Sequence, residues 1–135
     1  MSDISHIGIA VADLEKAVEA FSAILGYPPS SAEVIADQKV RVAMFASRDD
    51  PHSGHIELLE ATADDSPIKR FIDERGPGLH HLAILVDDIE ATLTYLKAKG
   101  FRLIDESPRV GTGGKKIAFI HPASTNGVLL ELQER

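Results

Sequence analysis

The chain of 135 residues contains no cysteine. That absence excludes disulfides, thiolate-bound metals and a cysteine nucleophile. No apolar run approaches the roughly 20 residues that a membrane-spanning helix needs. The opening residues, Met1-Ser2-Asp3-Ile4-Ser5-His6, show neither a basic segment followed by an apolar one nor an Arg-rich pattern, so no signal or transit peptide is expected. Basic charge is scarce. With 14 Lys and Arg against 21 Asp and Glu, the net charge is −7, which argues against a nucleic-acid partner and favours solubility. Together these features lead us to expect a cytoplasmic protein with no membrane contact. Its 44% hydrophobic and 26% charged residues are ordinary for a globular chain, and its length suits one domain with a full core.

A repeat dominates what is present. Gly78-Leu79-His80-His81-Leu82-Ala83-Ile84-Leu85-Val86-Asp87-Asp88 reads as a strand that opens on a histidine and runs into a helix start. Ser5-His6-Ile7-Gly8-Ile9-Ala10-Val11-Ala12-Asp13 has the same pattern, displaced by 75 residues. His6 aligns with His81, Val11 with Val86 and Asp13 with Asp88. Strand side chains alternate between faces, so Ile7, Ile9 and Val11 are expected on one bulky, helix-packed face. His6, Gly8 and Ala10 fall on the other. In the second copy, Leu82, Ile84 and Val86 face a helix, and His81 and Ala83 face a cavity.

The remaining elements follow from periodicity and punctuation. Asp13 suits a helix N-cap; Leu14, Ala17, Val18, Phe21 and Leu25 make an apolar stripe; Gly26 and Pro28-Pro29 end it. Strands are expected near 32–36, 39–46 and 55–60, with a polar loop from Ser47 to Gly54. Pro67 suits the first turn of a short helix whose apolar side holds Ile68, Phe71 and Ile72. After Gly78 the order repeats: a strand over 80–86, a helix capped by Asp88 (with Asp87 and Glu90 as a capping-box alternative), and strands near 101–104, 115–121 and 128–132. The chain is therefore expected to be a single α+β domain over residues 1–135. Module 1 covers about 1–64, a connector helix 65–78, and module 2 about 79–135, each module reading strand–helix–strand–strand–strand.

Four residues could carry chemistry. His6, Glu57, His81 and Glu131 are metal-ligand types on expected core strands, 51 residues separating histidine from glutamate in the first half and 50 in the second. A lone strand histidine is usually structural and a lone strand glutamate usually meets water; the fourfold match across a repeat favours a shared site. Two imidazoles and two carboxylates suit one divalent first-row ion such as Co, Mn, Ni, Zn or Fe. His80 stands where the first copy has Ser5 and reads as packing or as support behind a ligand. His52, His55 and His121 have no repeat partner and read as structural. Lys115 and Lys116 could meet an acidic ligand or form a solvated edge pair. The glycine loop 111–114 could approach a ligand or be only a turn.

These segments, with Ile56-Glu57-Leu58-Leu59-Glu60, Asp65-Ser66-Pro67-Ile68, Gly114-Lys115-Lys116-Ile117-Ala118-Phe119-Ile120-His121-Pro122 and Gly127-Val128-Leu129-Leu130-Glu131-Leu132, resemble the vicinal oxygen chelate (glyoxalase/bleomycin resistance) superfamily and, within it, the methylmalonyl-CoA epimerase family. The resemblance covers nearly the whole chain. It implies two paired βαβββ modules forming a curved mixed sheet around a metal site, one divalent ion per site (Co, Mn, Ni or Zn) held by His6, Glu57, His81 and Glu131, a CoA-thioester substrate and a homodimer. It further implies interconversion of (R)- and (S)-methylmalonyl-CoA by α-proton abstraction through a metal-stabilised enolate, with Glu131 as catalytic candidate and Lys115 and Lys116 as substrate contacts. Some relatives carry a catalytic glutamate on the third strand, where Val42 stands here, which leaves the second proton-transfer group open. A glyoxalase I acting on a glutathione adduct is the nearest rival reading; a non-catalytic small-molecule-binding protein of the same fold is another.

Overall fold

The computed structural model describes residues 3–51 and 54–135. His52, expected to be structural, lies outside them. The elements in chain order are β1 (Asp3–Ala10), α1 (Leu14–Leu25), β2 (Ser31–Ile35), β3 (Val40–Phe45), β4 (His55–Ala61), α2 (Pro67–Arg75), β5 (Gly78–Val86), α3 (Ile89–Ala98), β6 (Arg109–Val110), β7 (Lys116–Ile120) and β8 (Leu130–Glu134). Among the described residues, no helix is long and apolar enough to cross a membrane.

The chain forms two compact units, and β1 contributes to both. One unit spans Ile7–His80; the other joins the chain up to His6 with His81–Arg135. The sequence expectation placed all of β1 with the first half and the connector helix between the halves. In the structure, the residues up to His6 group with the second half and α2 with the first.

In the Ile7–His80 unit the strand order is β2-β3-β4-β1, with β2, β3 and β4 antiparallel. One sheet face packs α1: Ile9, Val11, Ala43, Phe45, Ile56 and Leu58 meet Leu14, Val18 and Phe21. The opposite face carries Ala10, Val40, Val42 and Leu59, which meet Ile68, Phe71 and Ile72 of α2. The alternation of strand side chains decides which residue joins which cluster. Ile7 departs from its expected place: it is 40% exposed and outside the α1 cluster, since Ile9 and Val11 already fill that contact.

In the other unit β5 runs parallel to β8, β8 antiparallel to β7, and β7 antiparallel to β6. Val86, Ala118, Ile120 and Leu132 pack under Ile89, Leu93 and Leu96 of α3. Two expected strands are corrected here. Near 101–104 only the single bridge Leu103–Ile120 forms. The Asp105 carboxylate then accepts the Phe119 N–H (2.8 Å), the donor a continuing strand would take, and a two-residue β6 pairs instead at Arg109–Val110. The last strand starts at Leu130, because Asn126 and Gly127 adopt positive φ in a turn that holds Val128 outside the ladder.

The helix starts follow their sequence signals. Asp13 accepts from Lys16 N, Ser66 from Ile68 N ahead of Pro67, and Asp88 from Ala91 N. Each cap satisfies an amide the helix cannot pair, worth about 1 kcal/mol. A second acid supports two of these starts: Glu60 accepts the Leu14 N–H (2.8 Å), and Glu134 accepts the Ile89 N–H (3.0 Å).

Candidate active site

Three of the four candidate ligands meet inside one unit. Ser5 and His6 come from β1, His81 from β5 and Glu131 from β8. The register places Glu131 beside Ala83 on β5 and Phe119 on β7, so it shares the sheet face that carries His81. This face is opposite the one packed by α3. His6, His81 and Glu131 are only 3%, 5% and 5% exposed, which excludes the solvated role usual for an isolated glutamate.

The side chains converge on one another. His6 Nε2 lies 3.1 Å from His81 Nε2, with the rings edge to face. Glu131 Oε2 is 3.5 Å from His6 Nε2, and its Oε1 is 3.5 Å from His81 Nε2. Ligands in adjacent positions about 2.1 Å from a metal stand roughly 3 Å apart, so these separations suit a shared divalent ion. Two imidazoles with a carboxylate are also a donor set that such ions take. The group could therefore bind a metal.

Glu57 sits on β4 of the other unit, opposite Met44 of β3, and is 3% exposed. Val42 is 1% exposed among Ala10, Val40 and Leu59, and has no group that could carry a proton.

The other described histidines have structural partners. His80 packs its ring edge to face against Phe71 (5.0 Å), and burial, helped by Arg75, pushes its pKa down to about 4. His55 Nδ1 accepts from Ser47 N (2.7 Å). His121 Nδ1 accepts from Ala123 N at a short turn.

The lysine pair divides. Lys116 pairs with Glu90 of α3 (3.3 Å), and Glu134 also raises its pKa. It shares a parity with Ala118 and Ile120, on the α3 side. Lys115 is exposed and alternates with Ile117 and Phe119, on the His81 side. The sequence reading did not single out Arg109. Its guanidinium lies over the Phe119 ring (5.2 Å), and that ring touches His81 edge to face (6.0 Å). Asp105 steadies Arg109 from the side at 3.5 Å. The signal was invisible because Arg109 lies in a strand of only two residues, too short to show a pattern, and the position 75 residues earlier holds Val34. Gly111 has a packing reason to be glycine, since a Cβ there would fall 2.8 Å from Ile117 Cδ1. A second acidic group, Asp88, Glu90 and Glu134, is explained by the α3 start and Lys116.

Comparison with known proteins places the chain in a family. The profile of the Glyoxalase/Bleomycin resistance protein/Dioxygenase superfamily matches residues 5–119. The human mitochondrial methylmalonyl-CoA epimerase is 37% identical over 132 residues, covering 97% of this chain and 73% of the human protein. The crystal structure of methylmalonyl-CoA epimerase from Mycobacterium tuberculosis has a TM-score of 0.91 at 39% identity, covering 98% of this chain and 87% of that one. A methylmalonyl-CoA epimerase solved in complex with methylmalonyl-CoA and NH4+ has a TM-score of 0.93 at 36% identity, covering 99% and 94%. Likeness at this level, over nearly all of the chain, shows the vicinal oxygen chelate fold that the resemblance implied. The chain belongs to the methylmalonyl-CoA epimerase family of the glyoxalase/bleomycin resistance/dioxygenase superfamily.

Proposed function

We propose that the protein is a metal-dependent epimerase that interconverts (R)- and (S)-methylmalonyl-CoA, with His6, His81, Glu131 and Glu57 as its metal ligands. The observation that carries this reading is the buried convergence of His6, His81 and Glu131. The family membership supplies the substrate class, a CoA thioester. Glu57 joins the set through its repeat relation to Glu131 and its burial.

The reaction moves one proton. The substrate's α-hydrogen lies between a thioester and a carboxylate, and the thioester carbonyl takes up the charge left when it departs. A divalent ion (Co, Mn, Ni or Zn) held by these residues would supply Lewis acidity worth several kcal/mol. The chain's own residues handle the proton. Glu131 is the candidate to take or return it at one face of the α-carbon, since its carboxylate lies beside both imidazoles. Inversion needs a second group at the opposite face, and Glu57 is the candidate because Val42 has no proton to give. Arg109, held over Phe119 by Asp105, presents a cation on the His81 side for an anionic part of the substrate, with Lys115 as a weaker contact. Lys116 instead serves the α3 start. A homodimer, implied by the family resemblance, and a cytoplasmic location, with which the cysteine-free composition is consistent, complete the reading.

Incubation with (S)-methylmalonyl-CoA in D2O with cobalt tests the reaction directly. Deuterium is expected at the α-carbon by NMR, together with formation of the (R) form. No exchange, with turnover of a methylglyoxal–glutathione adduct instead, would show the rival glyoxalase chemistry.

A further inference from the structure

The two histidines differ in what stands before them. His81 follows His80, which packs on Phe71. His6 follows Ser5, which is 2% exposed and makes two side-chain contacts. Ser5 Oγ lies 3.0 Å from His6 Nδ1 and 2.6 Å from Gln133 Oε1. Gln133 comes from β8, two residues beyond Glu131 and on the same strand face. Its repeat counterpart is Leu59, which packs in the α2 cluster. The arrangement therefore exists in one half only.

A hydroxyl has one proton to donate. The 2.6 Å separation is an O–H···O length and short for an amide N–H donor. Ser5 thus gives its proton to the Gln133 carbonyl oxygen and has only lone pairs left for His6. A buried imidazole nitrogen facing those lone pairs must carry the hydrogen. His6 is then protonated on Nδ1, and its Nε2 lone pair points at His81 Nε2 and Glu131.

We infer that Ser5 and Gln133 form a positioning relay that holds His6 as the Nδ1–H tautomer, so that Nε2 is presented as a metal donor. The tautomer is a property of the metal-free chain; its effect on metal affinity rests on the ligand set proposed above. A group behind a ligating histidine both fixes the ring and selects the donor nitrogen, and loss of such a partner typically weakens metal binding about 10- to 100-fold. Here the partner is a neutral hydroxyl backed by an amide, not a carboxylate.

The test uses the metal-free full-length protein labelled with 15N-histidine, at a pH where imidazole is neutral. Long-range proton–nitrogen correlations are expected to show His6 with hydrogen on Nδ1. Ser5→Ala should give a mixture of tautomers and about tenfold or greater loss of Co2+ affinity in competition with a chelator. Ser5→Thr should restore the single tautomer. Gln133→Leu should loosen it, whereas Gln133→Glu, which keeps an acceptor, should not. Should Ser5→Ala fail to fold, the two Gln133 variants read the same tautomer at a half-buried position. A wild-type His6 with hydrogen on Nε2 overturns the relay. So does a folded Ser5→Ala with unchanged tautomer and affinity. The predicted shifts in a protein that exchanges no deuterium into methylmalonyl-CoA would overturn the proposed function and leave the relay standing.

Discussion

At the start of α1, Asp13 caps the helix, Glu60 accepts the Leu14 N–H, and Arg41 grips Glu60 through two nitrogens at 2.6 and 3.0 Å. At the start of α3, 75 residues on, Asp88 caps, Glu134 accepts the Ile89 N–H, and Lys116 stands where Arg41 stood. The two starts use the same chemistry because each helix leaves N–H groups that no intrahelical carbonyl can satisfy. The strands that carry the histidines behave differently. Ser5 against His80 and Gln133 against Leu59 differ in their contacts: Ser5 and Gln133 bond to one another beside His6, whereas His80 and Leu59 pack against apolar neighbours. Duplication thus kept the parts that every βαβββ module needs. It diverged where the two copies stand in different surroundings.

The largest expected break in this symmetry is at the glutamates. Glu131→Gln should lower deuterium exchange by about two to four orders of magnitude with some metal retained. Glu57→Gln should cost exchange less, within about tenfold for the form whose α-proton Glu131 takes, because a glutamine still offers a ligand oxygen. Inversion to the other form should instead fall by about two to four orders of magnitude, because an amide cannot move the proton. Equal losses in the two variants, measured by NMR exchange and metal analysis, would mean that the copies share the proton chemistry evenly. The next contrast sets Arg109 against Lys116. Arg109→Ala should raise KM for the CoA ester about tenfold, and Lys116→Ala should leave it nearly unchanged.

Smaller effects belong to the helix starts and are read by urea unfolding. Glu60→Ala should cost about 2 kcal/mol, since it strands both the Leu14 amide and Arg41. Glu134→Ala should cost less, about 1 kcal/mol, because Lys116 keeps Glu90 as a partner. Asp13→Ala and Asp88→Ala should each cost about 1 kcal/mol and match one another. A clear inequality between these caps would show that the two helix starts are not equivalent.

Much of this was legible before any coordinates. The repeat picked out His6, His81 and Glu131, because ligand-type residues recur at fixed offsets on strands whose other positions are apolar. The Asp13 and Asp88 caps were readable because capping is local: the side chain bonds to an amide three residues away. The strand near 101–104 failed because its competitor was not local. Asp105 accepts an amide 14 residues along the chain, and no propensity reports that. Lys116 looked like half of a basic pair until the fold put Glu90 within reach. Arg109 could not be singled out, since stacking on Phe119 and bracing by Asp105 depend on how the two-residue β6 pairs with β7.

The sequence alone determined the duplicated α+β plan, the helix starts and the residue types that can hold a metal, because these follow from side-chain periodicity and short-range hydrogen bonding. Only the tertiary structure decided that His6 leaves its own half to join His81 and Glu131, that Ser5 and Gln133 meet behind it, and that Arg109 faces the site. Those are contacts between strands up to 128 residues apart. Strand register sets them, and register is fixed by the packing of the whole sheet.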